Sequence, residues 1–286
     1  MMSVSNPERA EVLTQALPYI RQYSGKAVVV KYGGSAMVSE MLKHQVMQDI
    51  VLLSLIGIRV VLVHGGGPEI TDLLAKVGKQ TRFVDGLRVT DSETMEYVQM
   101  ALAGKVNLGL VNMLQTYGGK AIGISGMDGR MIEANTLDPR LGQVGDIVSI
   151  DPAVMLDLID SGYIPVVSSL GAGSDGTVYN INADTAASCI AGALGAECLF
   201  LMTDTAGILK DVSDPASLIS RIDCEDAEAL FSSGMISGGM VPKLQSGLHA
   251  IRLGVPKVFI LDGRIPHSLL LELLTDEGAG TLITGG

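Results

Sequence analysis

The chain predicts an α/β fold built on a mostly parallel sheet, and three observations carry that prediction. Apolar runs rich in β-branched residues recur along it: KAVVVKY, RVVLVHG, AIGIS, YIPVVSSL, AECLFLMTD and PKVFILDG. Segments with helical periodicity separate these runs, which is the pattern of a sheet covered on both faces. Several runs end in glycine or in a short polar turn, where an α/β sheet places its ligands.

Residues 8–23, ERAEVLTQALPYIRQY, read as an amphipathic helix with Leu13, Leu17 and Ile20 on one face. Pro18 inside that pattern predicts a kink or an interruption. The segment precedes the first strand, so it packs either on its own domain or on a neighbouring subunit. After the first strand, SEMLKHQVMQDIVLLSLIG and PEITDLLAKVG are helical, and TMEYVQMALAGKVNLGLVNMLQTYG is a long helical pattern. DPAVMLDLIDSG is helical, with Asp151 as cap and Pro152 at the first helical position. NADTAASCIAGALGA and MVPKLQSGLHAIRLG complete the helices. TRFVDGLRVTDSET and DGRMIEANTLDPRLGQVGDIVSI read as hairpin-like excursions at the rim of the sheet.

Composition narrows the class. With 286 residues, 47% of them apolar and 18% charged, the chain holds ample core for one large domain or two lobes. A formal charge of −11 argues against nucleic acid or an anionic membrane as a main partner, while leaving room for a local cationic pocket. Three cysteines, Cys189, Cys198 and Cys224, lack metal-like spacing and read as reduced thiols of a cytoplasmic protein. MMSVSNPERAEV does not resemble a secretory signal, and no run approaches the ~20 apolar residues of a membrane helix.

Two lysines carry the chemical reading. Lys31 ends an apolar run just ahead of Gly33-Gly34, and Lys243 follows Gly238-Gly239. Glycines at strand ends let backbone N–H groups approach a phosphate, and a lysine supplies the compensating charge. Such parts suit phosphoryl transfer, which depends on positioning and charge neutralisation. Gly65-Gly66-Gly67 before a helix offers further N–H groups, although nothing here matches a Walker A loop. His64 reads as a strand-end structural residue rather than a base. GAGSDG, Gly171 to Gly176, matches GxGxxG but runs into a β-like stretch, so a dinucleotide fingerprint is rejected. Asn180, Asn182 and Asp184 exceed what one helix cap needs, and an aspartate there could orient both lysines. Arg88 is the candidate for gripping a substrate carboxylate, because guanidinium offers a bidentate fork. Asp204 and Gly207, in the turn after a strand, suit nucleotide contacts.

VVKYGGS, LVHGGGPEI, FVDGLRVTD, YNINADTAA, LMTDTAGIL and GGMVPKLQ, in that order, resemble the amino-acid kinase family. GLRVTD together with NINAD resembles the branch that phosphorylates acetylglutamate. That resemblance implies a three-layer αβα sandwich preceded by a kinked N-terminal helix. It implies an oligomerisation helix over 1–23, an acetylglutamate lobe over 24–195 and an ATP lobe over 196–286. The implied reaction is ATP-dependent phosphorylation of the γ-carboxylate of N-acetyl-L-glutamate, the second step of arginine synthesis through acetylated intermediates, with Mg²⁺ on the ATP phosphates. Lys31 and Lys243 would stabilise the transferring phosphoryl group and Asp184 would hold both in place. Gly34, Gly66 and Gly67 would serve the phosphoryl and acceptor side, Arg88, Asn180 and Asn182 the acceptor, and Asp204, Gly207, Gly238 and Gly239 the nucleotide.

The N-terminal segment and HSLLLELLTDEGAGTLI resemble the arginine-inhibited, hexameric members. Tyr19, Lys210, His267, Glu277 and Gly280 are then candidate arginine contacts. Some relatives bind a PII-type nitrogen-signalling protein, which makes such a protein a candidate partner. Met127 departs from the family, which often has lysine there. A sister kinase acting on carrier-linked aminoadipate or glutamate, and a non-catalytic amino-acid sensor on the same fold, remain as alternatives.

Overall fold

The computed structural model describes residues 5–34, 39–211, 214–233, 236, 239–276 and 278–285. It opens with α1 (Asn6–Gln15) and α2 (Leu17–Tyr23), separated at Ala16. Pro18 lacks the N–H that would continue the ladder back to Thr14, so the pattern breaks two residues before the proline. Ser5 caps α1 through a reciprocal capping box with Glu8.

From there strand and helix alternate as β1 (Ala27–Tyr32), α3 (Glu40–Leu55), β2 (Arg59–His64) and α4 (Gly67–Lys76). A hairpin follows, β3 (Phe83–Val84) and β4 (Leu87–Arg88), turning on Asp85 and Gly86, both at positive φ. The long helical pattern of residues 94–118 is three pieces: α5 (Ser92–Gln99), a π-helical stretch (Met100–Val106) and α6 (Asn107–Thr116). Next come β5 (Ala121–Ser125), the pair β6 (Ile132–Thr136) and β7 (Gly145–Ile150), α7 (Ala153–Asp160) and β8 (Ile164–Ser168). At α7, Pro152 is the cap residue rather than the first helical one, and the Asp151 carboxylate accepts from the Ala153 N–H. β9 (Leu170–Ala172) and β10 (Val178–Asn180) form an antiparallel hairpin, so GAGSDG is a turn and no helix opens from it. The remainder is α8 (Ala183–Ala193), β11 (Cys198–Thr203), β12 (Arg221–Asp223), α9 (Cys224–Ser232), α10 (Met240–Arg252), β13 (Lys257–Asp262), α11 (Ser268–Leu274) and β14 (Gly280–Thr284).

The main sheet has eight strands in the order β12-β14-β13-β11-β1-β2-β8-β5, and only β13 and β14 pair antiparallel. A second, four-stranded sheet, β10-β9-β6-β7, collects the excursions predicted at the rim. Side-chain alternation along each strand divides the core in two. Val29, Val61, Val63, Leu199 and Leu201 join one core with residues of α8 and α10. Val28, Val30, Val60, Leu62 and Phe200 join the other with residues of α3, α6 and α11. Helices on both faces give the three layers expected, and they explain why the strands are apolar at every position. No helix among the described residues is long and apolar enough to cross a membrane.

This alternation decides where the polar strand ends point. Lys31 shares the parity of Val29 and so belongs to the face under α8 and α10. His64 shares the parity of Leu62 and belongs to the face under α6. The sheet's active edge is therefore sorted before any loop is considered. α1, by contrast, leaves Val12 and Leu13 exposed, while Tyr23 at the end of α2 is buried with its ring beneath Lys257 Nζ, 5.1 Å away.

Where β5 hands over to the second sheet, Gly126 leaves no room for a side chain: a Cβ there would lie 2.1 Å from the Leu170 carbonyl oxygen. Gly126→Ala must move backbone, and it is expected to cost about 1–3 kcal/mol, as overpacking does. A thermal unfolding midpoint within 1 °C of the parent, by calorimetry, would contradict this.

Candidate active site

Asp184 is the second residue of α8, whose cap is Asn182: the Asn182 Oδ1 accepts from the N–H groups of Asp184 (2.9 Å) and Thr185 (3.2 Å). This cap places the Asp184 carboxylate directly over the end of β1. Its Oδ1 lies 2.8 Å from Lys31 Nζ and its Oδ2 3.4 Å from Lys243 Nζ, on α10. The three side chains are nearly enclosed, 7%, 7% and 18% exposed for Lys31, Asp184 and Lys243. Burial opposes ionisation of Asp184, but the charges of Lys31 and Lys243 overrule it and hold the carboxyl below its usual range. The pair of lysines remote in the chain thus converges on one anion.

On the Lys31 side lies a cavity of about 330 Å³ lined by Gly34, the Gly65–Gly67 cluster, Arg88, Asn180, Asn182 and Asp184. Arg88 is buried, and its guanidinium donates to Gly67 O (3.0 Å), Thr71 Oγ1 (2.8 Å) and Thr81 Oγ1 (3.1 Å). Its carbon sits 4.8 Å from the centre of the Phe83 ring. Burial alone lowers the guanidinium pKa, and no carboxylate among the described residues pairs with it. A buried, oriented cation with neutral partners is a site for an anion from outside. Asn180 donates to Thr90 Oγ1 at 3.4 Å and turns its carboxamide along the same wall. Lys31 and Arg88 against Asp184 leave the lining of this cavity one positive charge in excess within an acidic protein.

On the Lys243 side lies a second cavity of about 330 Å³, bounded by Thr203, Asp204, Gly207, Ile208, Gly239 and Met240. Gly207, at φ 139°, takes a backbone region closed to other residues and lets its loop pass against Thr281. Gly239 is the cap of α10, with no side chain closing the first turn. The open N-terminus of a 13-residue helix thus borders the cavity beside Lys243. Thr205 Oγ1, also on this wall, is buried without a hydrogen-bond partner among the described residues. Gly238 lies outside the described residues. Lys31 and Asp184 line the first cavity and Lys243 the second, so the ion-paired cluster stands between the two.

Of the residues expected to serve arginine, Tyr19, His267 and Gly280 fall around α11. The Tyr19 hydroxyl donates to Asp276, tying α2 to the stretch before β14. His267, at φ 58° ahead of α11, places Nδ1 2.6 Å from Asp49 Oδ1 on α3. Burial pushes the Asp49 carboxyl up to about 6 against the pull of that imidazole. Gly280 opens β14 so close to β13 that a Cβ would meet Ile260 O at 2.1 Å, a structural reason for glycine. Lys210 is exposed, two residues beyond Ile208, whose N–H donates to Thr281 Oγ1. Glu277 lies outside the described residues. Met127 packs beside Gln99 and lines neither cavity.

Sequence reasoning missed Phe83, Leu102 and Ser169 on the first cavity and Ile236 and Met240 on the second. It also missed Thr71 and Thr81 beneath Arg88. None of these stands in a pattern that single-sequence reasoning can separate from ordinary core or surface. For Thr71 alone a signal existed, since it lies one helical turn beyond Gly67.

Residues 26–262 match the model of the amino acid kinase family. Acetylglutamate kinase of Brachyspira hyodysenteriae is 52% identical over 284 residues, 99% of each chain. That of Moorella thermoacetica is 50% identical over the full length of both. Among solved structures, N-acetylglutamate synthase from Neisseria gonorrhoeae, complexed with coenzyme A and N-acetyl-glutamate, aligns with a TM-score of 0.84 at 29% identity. The alignment covers 96% of this chain but 63% of the synthase. The same synthase complexed with coenzyme A and L-arginine gives 0.79 at 27% identity. A family model matched over most of the chain and full-length relatives half identical to it show that the chain belongs to the amino acid kinase family.

Proposed function

We propose that this protein phosphorylates the γ-carboxylate of N-acetyl-L-glutamate at the expense of ATP. The observation that carries this reading is the Lys31–Asp184–Lys243 cluster, whose two lysines line different cavities and share one carboxylate. One cavity holds an arginine that pairs with no carboxylate among the described residues, suited to the acceptor's other carboxylate, and the other has the open helix N-terminus that suits a nucleotide's phosphates. Relatives named acetylglutamate kinase, half identical over nearly the whole chain, support the same acceptor.

In the reaction a γ-carboxylate oxygen attacks the γ-phosphorus of ATP in line, ADP leaves, and an acyl phosphate forms. No protein nucleophile is required. Arg88 grips the α-carboxylate, with Asn180 beside it, and so aims the γ-carboxylate along the glycine cluster. Lys31 approaches the transferring group from the acceptor side and Lys243 from the donor side. Asp184 keeps both ammonium groups in place without neutralising them, because one carboxylate cannot cancel two cations. Backbone N–H groups of Gly34, Gly66 and Gly67 add donors fixed in position, which cost no reorganisation as charge develops. Asp204 and Gly207 border the nucleotide, and Thr205 Oγ1 supplies an unused hydrogen bond there. Mg²⁺ enters as the partner of the ATP phosphates.

Regulation by arginine and assembly as a hexamer, a trimer of dimers, belong to the same reading. Support comes from the exposed Val12 and Leu13 of α1 and from the grouping of Tyr19, His267 and Gly280 around α11. A PII-type protein stands as a further candidate partner.

Acetylglutamate-dependent ADP release in a coupled assay tests the reading, and none at millimolar acceptor rejects it. Lys31→Ala and Lys243→Ala are each expected to lower kcat by roughly 10²–10³, the cost of removing one preorganised charge at a developing anion. Arg88→Lys keeps the charge but loses the fork, so KM for acetylglutamate should rise about tenfold or more with KM for ATP little changed. An equal rise in both would place Arg88 elsewhere. Removing residues 1–16 spares Tyr23 and should convert hexamers to dimers and abolish arginine inhibition. Light scattering that still finds hexamers would refute the assembly.

A further inference from the structure

The proposed reaction uses the Gly65–Gly67 cluster but leaves unexplained why a fully buried histidine stands immediately before it. His64 is 0% exposed and closes β2 on the face beneath α6, opposite to Lys31. Its Nδ1 is 2.9 Å from the carbonyl oxygen of Gly65, and its Nε2 is 3.0 Å from Nδ2 of Asn107. A carbonyl oxygen only accepts, so Nδ1 carries the proton. Nε2 is then a bare acceptor for the Asn107 amide. The orientation of that amide is itself determined, because Nδ2 also faces Val166 O at 2.8 Å and Ile124 O at 3.3 Å. Burial pushes the imidazole pKa down to about 4, so the ring is neutral near pH 7.

This network acts on one peptide unit. Gly65 and Gly66 have no side chain to restrain them, so the peptide between them is free to flip unless something holds it. The Gly65 N–H is spent on Tyr32 O at 3.2 Å, and its carbonyl on His64. In a planar trans peptide the carbonyl of Gly65 and the N–H of Gly66 point in opposite directions. Holding the carbonyl on the α6 side turns the Gly66 N–H toward the side of Lys31 and Asp184. Gly66 is also backed by the π-helical stretch: a Cβ there would lie 2.7 Å from Leu102 and 3.1 Å from Val106. Asn107 is the first residue after that stretch. It sits over Gly123, where a Cβ would come within 1.9 Å of Asn107 Oδ1.

We propose that His64, held as the Nδ1–H tautomer by Asn107, is a positioning residue that locks the Gly65–Gly66 peptide with its N–H aimed at the transferring phosphoryl group. The proposal deepens the kinase reading and rests on it for the identity of the group the N–H serves. The locking geometry itself does not.

His64→Leu removes the lock while keeping bulk, and should lower kcat about tenfold or more, the loss expected when one oxyanion donor is misaimed. KM for ATP and acetylglutamate should each stay within about threefold. His64→Asn places an amide N–H near the position of Nδ1 and should recover kcat to within about tenfold of the parent. Equal kcat losses in His64→Leu and His64→Asn, tracking equal falls in melting temperature, would overturn the proposal by reducing His64 to a packing residue. The unsubstituted protein gives the second measurement. Its four histidines can be read by ¹⁵N-histidine NMR, with the His64 signal identified by its absence in His64→Asn. A neutral Nδ1–H ring that does not titrate between pH 5 and 8 supports the lock, whereas an Nε2–H tautomer or a titrating ring overturns it. The NMR needs no turnover, so absent acetylglutamate-dependent ADP release would sink the kinase reading and leave the lock to be judged on its own.

Discussion

A single carboxylate between two ammonium groups organises this molecule's functional edge. Lys31 and Lys243 come from a strand and a helix that share no local chain, and each would repel the other across an enclosed space. Asp184 makes their proximity tolerable, and its own burial is tolerable only because both are there. The cost of isolating any of the three explains why α8 and α10 pack so closely on the same sheet face.

The net charge left over is what makes the cluster useful. If two carboxylates faced the lysines, the site would be neutral and would have no preference for an anion. One carboxylate fixes the geometry and leaves a positive remainder, to which Arg88 adds a second, separated cation. Lys31 and Arg88 both line the first cavity, and in the proposed reading one cation faces each carboxylate of the acceptor.

Much of the fold was legible because apolar runs at every position demand cover on both faces, and the chain has few other ways to supply it. Lys31 was legible as a charge at the end of an apolar strand before glycines, Lys243 as one shortly after a glycine pair, and Asp184 as a member of a polar cluster larger than one helix cap needs. The helix cap at Asn182 was legible in kind, although which of three polar residues would provide it was not. The π-helical stretch was invisible: apart from Gly104 and Val106 its residues, MALAGKV, are good helix formers, and nothing in them marks the wider turn. β12 and β14 were missed because they are short and are defined by pairing with other strands, and α9 and α11 were passed over as well.

The seven-residue swelling between α5 and α6 has a consequence for how this chain can vary. Shortening the swelling by one residue would give a more regular helix. It would leave Asn107 close to its present phase, whereas winding all seven residues as ordinary α-helix would swing everything after them by about 100° about the helix axis, carrying Asn107 away from the imidazole and the sheet carbonyls it serves. The wide turn therefore acts as a phase setting, and lineages that tidy this helix without losing a residue must rebuild the floor beneath the glycines.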